Sequence, residues 1–523
     1  MTPADQRIWG PPDRTLELLA RNVSTRYAAI FVDGIVGLVL LPFNVAHLGR
    51  AAYGLWALTG SVTWFFGVLD LGYGSALVKF IAQYRAKRDQ DGLNQIVSTV
   101  GLVFAGLGAA CFGVMAVVAS YVASLFNIEP DQVRTAQHLL LIVGAYLSIR
   151  FPLAIFGAVV NGFQRYYLNN IIGITTSLLV AAVNVAVLMA GGTLVPLVAA
   201  TTSVRLLTLV LFVLNAYRAF PGLRVRLSLF RRARLREVTS FSVYMFALDC
   251  AAKVNYSSDT MVIGAMLNTT AIAVWTVGQR LSALVQQLTG QLNDALFPSV
   301  VDSHAGERHD RLQLILLHGT KLSLALAAPL CLGLIALADP LIRGWVGSQF
   351  AGSVAVAQIL LTIVVVRIST ASANLILKGT GGHKLLTYAN VTTAVVNVLL
   401  SVALIRPLGL VGVALGTLIP VTISAAFVLY PAACRRVGLP IHVPLTRAVW
   451  PALWPAAVMT GVLWIGRELP PGGLPGVAVR LAIGGLLYVA LFLRFAIGPD
   501  ERRFYWTKLR SIVIRERHAP AAA

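Results

Sequence analysis

Charged side chains are scarce in this chain: only 12% of its 523 residues are Asp, Glu, Lys or Arg, whereas hydrophobic residues make up 57%. A soluble domain carries about twice that charged fraction. Water alone cannot solvate a surface so poor in charge, and no long polar stretch remains that would fold as a separate soluble domain. The scarcity of charge therefore excludes an ordinary soluble protein and predicts a single membrane domain covered by lipid.

Cysteines and catalytic motifs are also scarce. No CxxC spacing occurs, so neither a disulfide nor a metal site is predicted. The phosphate loop Gly-x-x-x-x-Gly-Lys-Ser/Thr is absent, as are Gly-x-Ser-x-Gly and His-Glu-x-x-His, so ATP hydrolysis within the chain is not expected. We therefore expect no catalytic residues and no bound cofactor, and a transporter rather than an enzyme. The four dispersed cysteines are Cys111, Cys250, Cys331 and Cys434.

Apolar runs of about 20 residues, long enough to cross a bilayer, recur along the whole chain. They predict an all-α polytopic membrane protein with about fourteen transmembrane helices. Span 7 (238–266) and span 8 (271–300) are more polar than the rest. The other predicted spans are 27–46, 54–79, 97–122, 136–159, 169–190, 194–217, 314–338, 354–377, 386–404, 410–431, 447–465 and 477–497.

The distribution of Lys and Arg predicts the orientation. The formal net charge is +21, and most basic residues fall in alternate connections, on the side of the N-terminal segment 1–26 and the basic tail 498–523. Basic residues collect on the cytoplasmic flank of membrane proteins. Both termini are therefore predicted to be cytoplasmic, in a bacterial inner membrane, and the positive charge does not indicate nucleic-acid binding. Segment 1–26 is polar, so no cleavable signal peptide is predicted.

The connection 218–236 holds seven basic residues interleaved with apolar ones (RAFPGLRVRLSLFRRARLR). Such a segment can lie on anionic lipid headgroups, with about 1 kcal/mol of attraction per basic residue. Alternatively, it determines the topology and has no further task.

An internal repeat relates the two halves of the chain. At an offset of 217 residues, Arg150 aligns with Arg367 and Gly162 aligns with Gly379. Soon afterwards, Val-Asn-Val occurs in both copies, around Asn184 and Asn397. Six predicted spans separate the copies, so both run in the same direction, as in a parallel repeat about an axis along the membrane normal.

The repeat predicts two six-helix lobes, 27–217 and 237–431, joined by the linker 218–236 and followed by two further helices in 447–497. Two such lobes enclose a cavity, and rocking them would expose it to each side of the membrane in turn.

Four arginines lie deep inside predicted spans, where an ionised side chain costs at least about 2.5 kcal/mol. Arg150 and Arg367 lie about 13 Å from the cytoplasmic ends of spans 4 and 10, and the repeat predicts that they face each other across the cavity. Arg205 in span 6 and Arg280 in span 8 are also deep. Because arginine offers a planar fork to phosphate oxygens, we predict a cationic pocket for a phosphate-bearing substrate. The alternative is structural pairing with acids on neighbouring helices.

Other charges in the spans are candidates as well. Asp249 and Lys253 in span 7 are four residues apart; Lys253 either contacts substrate or is neutralised by Asp249 on the same helix face. Asp70 in span 2 and Asp294 in span 8 either partner the arginines or carry a coupling proton. Lys321 lies near a span end, and we expect its side chain to extend to the membrane surface.

Four segments resemble bacterial polysaccharide exporters, the oligosaccharide-lipid flippases of the multidrug/oligosaccharidyl-lipid/polysaccharide (MOP) exporter superfamily. The resemblance extends over nearly the whole chain, although each motif alone is moderately specific. The segments are 48–58 (LGRAAYGLWAL), 69–77 (LDLGYGSAL), 277–281 (VGQRL) with 296–298 (LFP), and 339–347 (DPLIRGWVG).

The resemblance implies a fold like that of the MATE transporters of this superfamily, with two six-helix lobes and here two more helices. It also implies that the chain flips undecaprenyl-diphosphate-linked oligosaccharide from the inner to the outer leaflet. The implied partners are the lipid-linked oligosaccharide, membrane lipids, and a polysaccharide polymerase with its chain-length machinery. A proton or sodium gradient is the implied energy source.

Three alternatives remain open. A cation-coupled drug exporter of the same superfamily would favour acids in its pocket, in contrast to the deep arginines here. A peptidoglycan lipid-precursor flippase would differ in cargo alone. A membrane-embedded glycan polymerase or ligase would need a larger external platform than the short connections of this chain provide.

Overall fold

The computed structural model describes residues 15–294, 297–468, 470, 472–498 and 501. For some of these, including 247–257 and 290–294, it describes the backbone alone. The described residues form helices and no strands, so the predicted all-α class is confirmed. Helices suit these sequences because lipid offers no hydrogen-bond partner to the backbone, and an α-helix satisfies its own N–H and C=O groups.

Eight helices occupy the described residues up to 294, and three short helical turns of three or four residues are left unlabelled. These helices are α1 (Thr15–Phe66), α2 (Tyr73–Lys87), α3 (Gln90–Ser120), α4 (Val133–Gly162), α5 (Tyr166–Met189), α6 (Leu194–Ala219), α7 (Arg232–Met266) and α8 (Thr269–Asp294).

The described residues after 296 form nine further helices of eight residues or more, with shorter helical turns next to some of them. They are α9 (Phe297–Ala305), α10 (His309–Ala336), α11 (Ala338–Val346), α12 (Ser353–Ser369), α13 (Ala371–Gly379), α14 (His383–Ile423), α15 (Tyr430–Val437), α16 (Trp450–Ile465) and α17 (Gly473–Leu491).

Two of these helices contain a sharp break at a glycine. Gly49 interrupts α1 with φ 79° and ψ 166°, and Gly409 interrupts α14 with φ 57° and ψ −136°. Both conformations are strongly unfavourable for a residue with a Cβ atom. Each break falls between two predicted spans, so each helix has two arms.

Ten helical segments in the described part of the chain are long and apolar enough to cross a membrane. Two of them, Ala20–Phe66 and Lys384–Val437, have 47 and 54 residues and contain the glycine breaks. The polar helices α7 and α8 are not among the ten, in line with their composition. The chain is therefore a multi-pass membrane protein, and the count of fourteen spans stays a prediction.

The chain divides into two compact units. The first unit comprises the described residues up to Arg280 together with Asn390–Thr417. The second comprises Leu281–Ala389 and the described residues from Leu418 onward. Within the second unit, α10 packs on α12 and α16 around an apolar core that includes Leu324, Leu361 and Met459. The lobe boundaries 27–217 and 237–431 stay a prediction.

The same packing contact occurs in both copies of the internal repeat. Gly162 ends α4 and lies against Ile81 of α2 so closely that a Cβ atom would come within 2.4 Å of the Ile81 side chain. Gly379 ends α13 and lies against Val300 of α9, where the corresponding distance is 2.5 Å. Each of the two aligned glycines therefore lets a neighbouring helix pack closely on the end of the helix that it terminates.

Candidate functional site

Arg280 of α8 is held by α1 within the first unit. Its Nη2 donates a hydrogen bond to the main-chain oxygen of Asp33 at 2.8 Å. The guanidinium lies directly on Gly37, since a Cβ atom there would come within 1.3 Å of Nη2. Its Nε is buried and has no hydrogen-bond partner among the described residues. Arg280 is thus fixed in position and keeps part of its donor capacity unused.

Asp33 lies in the middle of the predicted span 27–46, and sequence analysis overlooked it. Its carboxylate is exposed and accepts a hydrogen bond from the Ser177 hydroxyl of α5. A single acid in an apolar run of this length was the available signal, because an intramembrane charge calls for a functional explanation. Helices α1, α5 and α8 therefore bring an arginine, a carboxylate and a hydroxyl into one polar group within the first unit.

Arg150 of α4 and Arg205 of α6 are exposed, and neither side chain pairs with any described residue. Leu141 and Ile149, with 38% and 45% exposure, lie on an apolar stripe of α4 of the kind that faces lipid. Successive helical residues are about 100° apart, so Arg150 projects about 100° from Ile149 and about 180° from Leu141. Arg150 therefore leaves α4 on a different side from the apolar stripe.

Arg367 belongs to the second unit, near the end of α12, and is partly exposed. Its predicted position opposite Arg150 involves the other unit and stays a prediction. Asp70 is placed in the first unit, where its Oδ1 accepts the backbone N–H of Gly74 at 3.2 Å and so caps the first turn of α2. That contact gives Asp70 a structural task, and its proposed role toward the arginines or a proton stays a prediction.

Three of the predicted charged side chains lie outside the described residues. They are Asp249 and Lys253 on α7 and Asp294 at the end of α8, where only the helical backbone is described. Their pairing and their contacts therefore stay predictions.

Lys321 of α10 differs from the expectation that it would extend to the membrane surface. Its side chain is buried, with the residue 4% exposed, and its Nζ lies 2.5 Å from Oε2 of Glu501. His318 Nδ1 is 3.8 Å from the other oxygen of the same carboxylate. An available carboxylate near the end of the chain explains the difference, because pairing removes the need to reach water.

A second polar group, buried within the first unit, joins α7 to both arms of α14. Asp259 is 5% exposed, and its Oδ2 accepts a hydrogen bond from the Thr417 hydroxyl at 3.1 Å. The same hydroxyl is 3.3 Å from Oδ1 of Asn397, to which Ser401 Oγ donates at 3.0 Å. The main-chain oxygen of Val413 is 3.4 Å from the hydroxyl oxygens of both Ser401 and Thr417.

This buried oxygen cluster lies near the midpoint of a long apolar helix arm. Asn397 is about 20 Å from the start of α14 and about 18 Å from the break at Gly409, at 1.5 Å per residue. One carboxylate and several neutral oxygens from two helices make a donor set that suits a small hard cation or a proton. Among the described residues, no group of three or more His, Cys, Asp or Glu side chains has the arrangement of a metal site.

The sequence contained one signal for this cluster, the Val-Asn-Val match around Asn184 and Asn397. Both asparagines are buried, with exposures of 1% and 0%. Asn184 Oδ1 has no hydrogen-bond partner among the described residues, whereas Asn397 Oδ1 has two. The repeat therefore points to the asparagine position in both copies. Only the structure shows that the oxygen cluster surrounds Asn397 and not Asn184.

Comparison with known proteins gives a family match over more than half of the chain. The sequence model of the family described as "Polysaccharide biosynthesis protein" matches residues 47–355. A curated relative, "Probable flippase AglR" of Haloferax volcanii, is 22% identical over 495 residues, which cover 92% of this chain and 97% of that protein.

Solved structures share the fold of this chain. The lipid II flippase MurJ, in an inward closed conformation, is similar with a TM-score of 0.72 at 16% identity, over 89% of this chain and 97% of that one. An inward-facing multidrug resistance MATE family transporter of the MOP superfamily is similar with a TM-score of 0.63 at 17% identity. The similarity covers 78% of this chain and 93% of that one. At these identities the similarity shows the fold and leaves the cargo open.

Proposed function

Because this chain belongs to the polysaccharide biosynthesis protein family and has the MOP-superfamily fold, we propose that it is a flippase for undecaprenyl-diphosphate-linked oligosaccharide. It moves this cargo from the inner to the outer leaflet of a bacterial inner membrane by alternating access, with both termini cytoplasmic. It acts as a transporter and not as an enzyme, and it supplies its cargo to a polysaccharide polymerase and chain-length machinery.

The observation that carries this proposal is the set of deep arginines with unused donors. Arg280 keeps a buried Nε without a partner, and no described side chain pairs with Arg150 or Arg205. Unpaired guanidinium groups at membrane depth are costly unless they serve a ligand. A diphosphate is the part of the proposed cargo that guanidinium forks bind best, while the prenyl chain can remain in lipid.

Two other cargoes suit the same fold, and the arginines distinguish one of them. A cationic drug would be repelled by these arginines, so a drug exporter fits the charge less well. A peptidoglycan lipid precursor also carries a diphosphate. The arginines therefore support it and the oligosaccharide cargo equally. The family match, which names polysaccharide biosynthesis, favours the oligosaccharide repeat unit.

The buried oxygen cluster of Asp259, Asn397, Ser401 and Thr417 supports a coupling ion. Its single carboxylate matches a monovalent cation, and it joins α7 to α14, so binding a cation would stabilise one arrangement of these helices. We propose that sodium occupies this cluster and that its gradient supplies the energy, with a proton as the alternative.

The cargo site is tested by single substitutions Arg150→Ala, Arg280→Ala and Arg367→Ala. Each is expected to reduce surface polymer in a complemented deletion strain by at least about tenfold, because one guanidinium–phosphate contact contributes about 1.5–3 kcal/mol. Protein abundance in the membrane is measured in parallel. Arg308→Ala is the matched control, since Arg308 is exposed at the start of α10 and lies in no predicted span.

Full export by all three alanine variants would overturn the assignment of the cargo site. Partial export by the corresponding lysine variants would support it, because lysine keeps the charge and loses the planar fork.

A further inference from the structure

A series of hydrogen bonds fixes the basic linker 218–236 to the N-terminal part of α3. Asn94 donates from Nδ2 to the Gly222 oxygen at 3.1 Å, and its Oδ1 accepts the N–H of Arg224 at 2.9 Å. Ser98 donates to the Arg224 oxygen at 3.2 Å and accepts the N–H of Arg226 at 3.2 Å. Asn94 and Ser98 are one helical turn apart, so the linker follows one face of α3.

Further contacts complete the attachment of the linker. Thr99 accepts the N–H of Arg231 at 3.1 Å. Phe220 and Leu223 are buried, with exposures of 1% and 4%, and Phe220 stacks on Phe163 at 5.4 Å between ring centroids. The main-chain hydrogen bonds and the inward apolar residues hold the linker in a defined conformation and leave the arginine side chains on its outer surface.

Five guanidinium groups on this linker are exposed and form no hydrogen bond or ion pair with any described residue, whereas Arg231 bonds to two main-chain oxygens. No acidic residue occurs within 218–236 to neutralise them. Arg234 differs, because it forms an ion pair with Glu237 at 3.2 Å. Leu227, 76% exposed, lies among the arginines. The five unpaired arginines are Arg218, Arg224, Arg226, Arg232 and Arg236.

The neighbouring surface extends the positive charge. Arg85 at the end of α2 lies 5.2 Å from the Phe163 ring centroid, and Phe163 in turn stacks on Phe220 of the linker. Burial lowers the pKa of Arg85, and the charge of Arg165 lowers it further. Like charges held close together favour an anion between or above them. Asp89, the residue just before α3, uses its Oδ1 to cap that helix through the Gly92 N–H at 2.8 Å.

We propose that the linker 218–236 is a preformed docking surface for the phosphate headgroups of anionic phospholipids. Its position between the ends of two predicted spans places it at the membrane–water interface. Exposed arginines attract the phosphates of anionic lipids, and exposed Leu227 enters the boundary between headgroups and acyl chains. The hydrogen bonds to Asn94, Ser98 and Thr99 keep the arginines aligned, so ordering the linker adds no cost when lipid binds.

The test compares lipid binding by the full-length chain and two triple variants. Purified protein in mild detergent is titrated with phosphatidylglycerol or with phosphatidylcholine, and bound lipids are counted by native mass spectrometry. The linker variant is Arg224→Gln/Arg226→Gln/Arg232→Gln. The control variant, Arg308→Gln/Arg311→Gln/Arg406→Gln, removes the same charge from exposed positions elsewhere.

We expect the linker variant to bind phosphatidylglycerol at least about tenfold more weakly, because three phosphate attractions are lost. The control variant should match the wild type, and phosphatidylcholine binding should be equal in all three proteins. The proposal is overturned if the linker variant binds phosphatidylglycerol with an affinity within twofold of that of the control variant. It is also overturned if the linker variant loses affinity for phosphatidylglycerol and phosphatidylcholine to the same extent. An unchanged elution volume shows that the variants are folded. No transport is needed, so the result is independent of the flippase proposal.

Discussion

At the scale of single residues, Gly37 determines where the Arg280 guanidinium lies. Any side chain at position 37 would occupy the space of Nη2, so only glycine lets the arginine reach the main-chain oxygen of Asp33. The hydrogen bond to a carbonyl fixes the guanidinium without neutralising it. A positive charge held in this way remains available to an anionic ligand.

Gly37→Ala should therefore impair transport without unfolding the protein. The new Cβ atom displaces the flexible end of Arg280, and we expect export to fall about tenfold while alanine slightly favours the helix. Gly60→Ala on the same helix is the control, because a Cβ atom there meets no atom within 4 Å. Export and thermal stability in detergent are measured for both variants. Equal export by the two would contradict the role of Gly37.

Residue-level predictions failed where a partner was distant in sequence, and the roles of the deep arginines stay predictions. The sequence singled out Arg280 as a charge in an apolar run, but its contact with Asp33 spans 247 residues. Lys321 was wrongly expected at the membrane surface, because its partner Glu501 is 180 residues away. Contacts between residues so far apart in the sequence depend on tertiary packing, and the periodicity and composition of the sequence do not reveal them.

At the scale of helices, the broken helix α14 brings two of its own residues together. Its arms, before and after Gly409, place Asn397 beside Thr417, and Thr417 contacts the neighbouring α7 through Asp259. The cluster therefore depends on the break as well as on its polar side chains.

If the cluster binds sodium, sodium should stabilise the protein against heat. Binding at 100 times the dissociation constant contributes about 2.7 kcal/mol, so melting in detergent is compared in sodium and choline chloride at constant pH. The shift should disappear in Asn397→Ala and Thr417→Val and persist in Thr417→Ser. Asn184→Ala is the matched control from the other copy of the repeat. An equal shift in every variant would exclude this site, and a dependence on pH alone would identify a proton instead.

Gly409→Ala should destabilise the protein through its backbone. A Cβ atom at Gly409 meets no atom within 4 Å, so no clash contributes. The residue nevertheless has φ 57° and ψ −136°, a region that costs roughly 1–3 kcal/mol for other residues. Gly461→Ala, also free of contacts within 4 Å but inside the regular helix α16, is the control. A melting temperature for Gly409→Ala equal to that of the control would refute this explanation.

The helices themselves were largely predictable, because length and apolar composition suffice to identify a membrane helix. The predicted boundary between spans 1 and 2 coincides with the break at Gly49, and that between spans 11 and 12 lies next to the break at Gly409. The turn at Gly67–Asp70, which divides predicted span 2, was not predicted. Its first three residues, Gly, Val and Leu, are apolar enough to continue a span, so hydropathy alone did not indicate a turn there.

At the scale of the whole molecule, one packing contact recurs at an aligned pair of glycines from the two copies of the predicted repeat. Gly162 and Gly379 make the same type of contact at the same helix end, although few residues are identical between the copies. Close packing requires a small residue at these points, and the surrounding apolar residues are interchangeable. A repeat can therefore persist in packing after it has almost disappeared from the sequence.

The predicted orientation is tested with single cysteines introduced into a variant that lacks the four native ones. Thr193→Cys, in the exposed connection between α5 and α6, should react with a membrane-impermeant maleimide on intact cells. Ser228→Cys, exposed in the linker 218–236, should react only after permeabilisation. The reverse pattern would place both termini outside and would contradict the distribution of basic residues.

The contact between Lys321 and Glu501 has a practical consequence for shortened or fused versions of the chain. Removing everything after residue 498 would strand an ammonium in an apolar interior, a defect that typically costs several kcal/mol. Removing only the residues after 501 would keep the pair intact. We therefore expect the chain that ends at residue 498 to be degraded and the chain that ends at Glu501 to accumulate in the membrane. Affinity tags should be attached after Glu501.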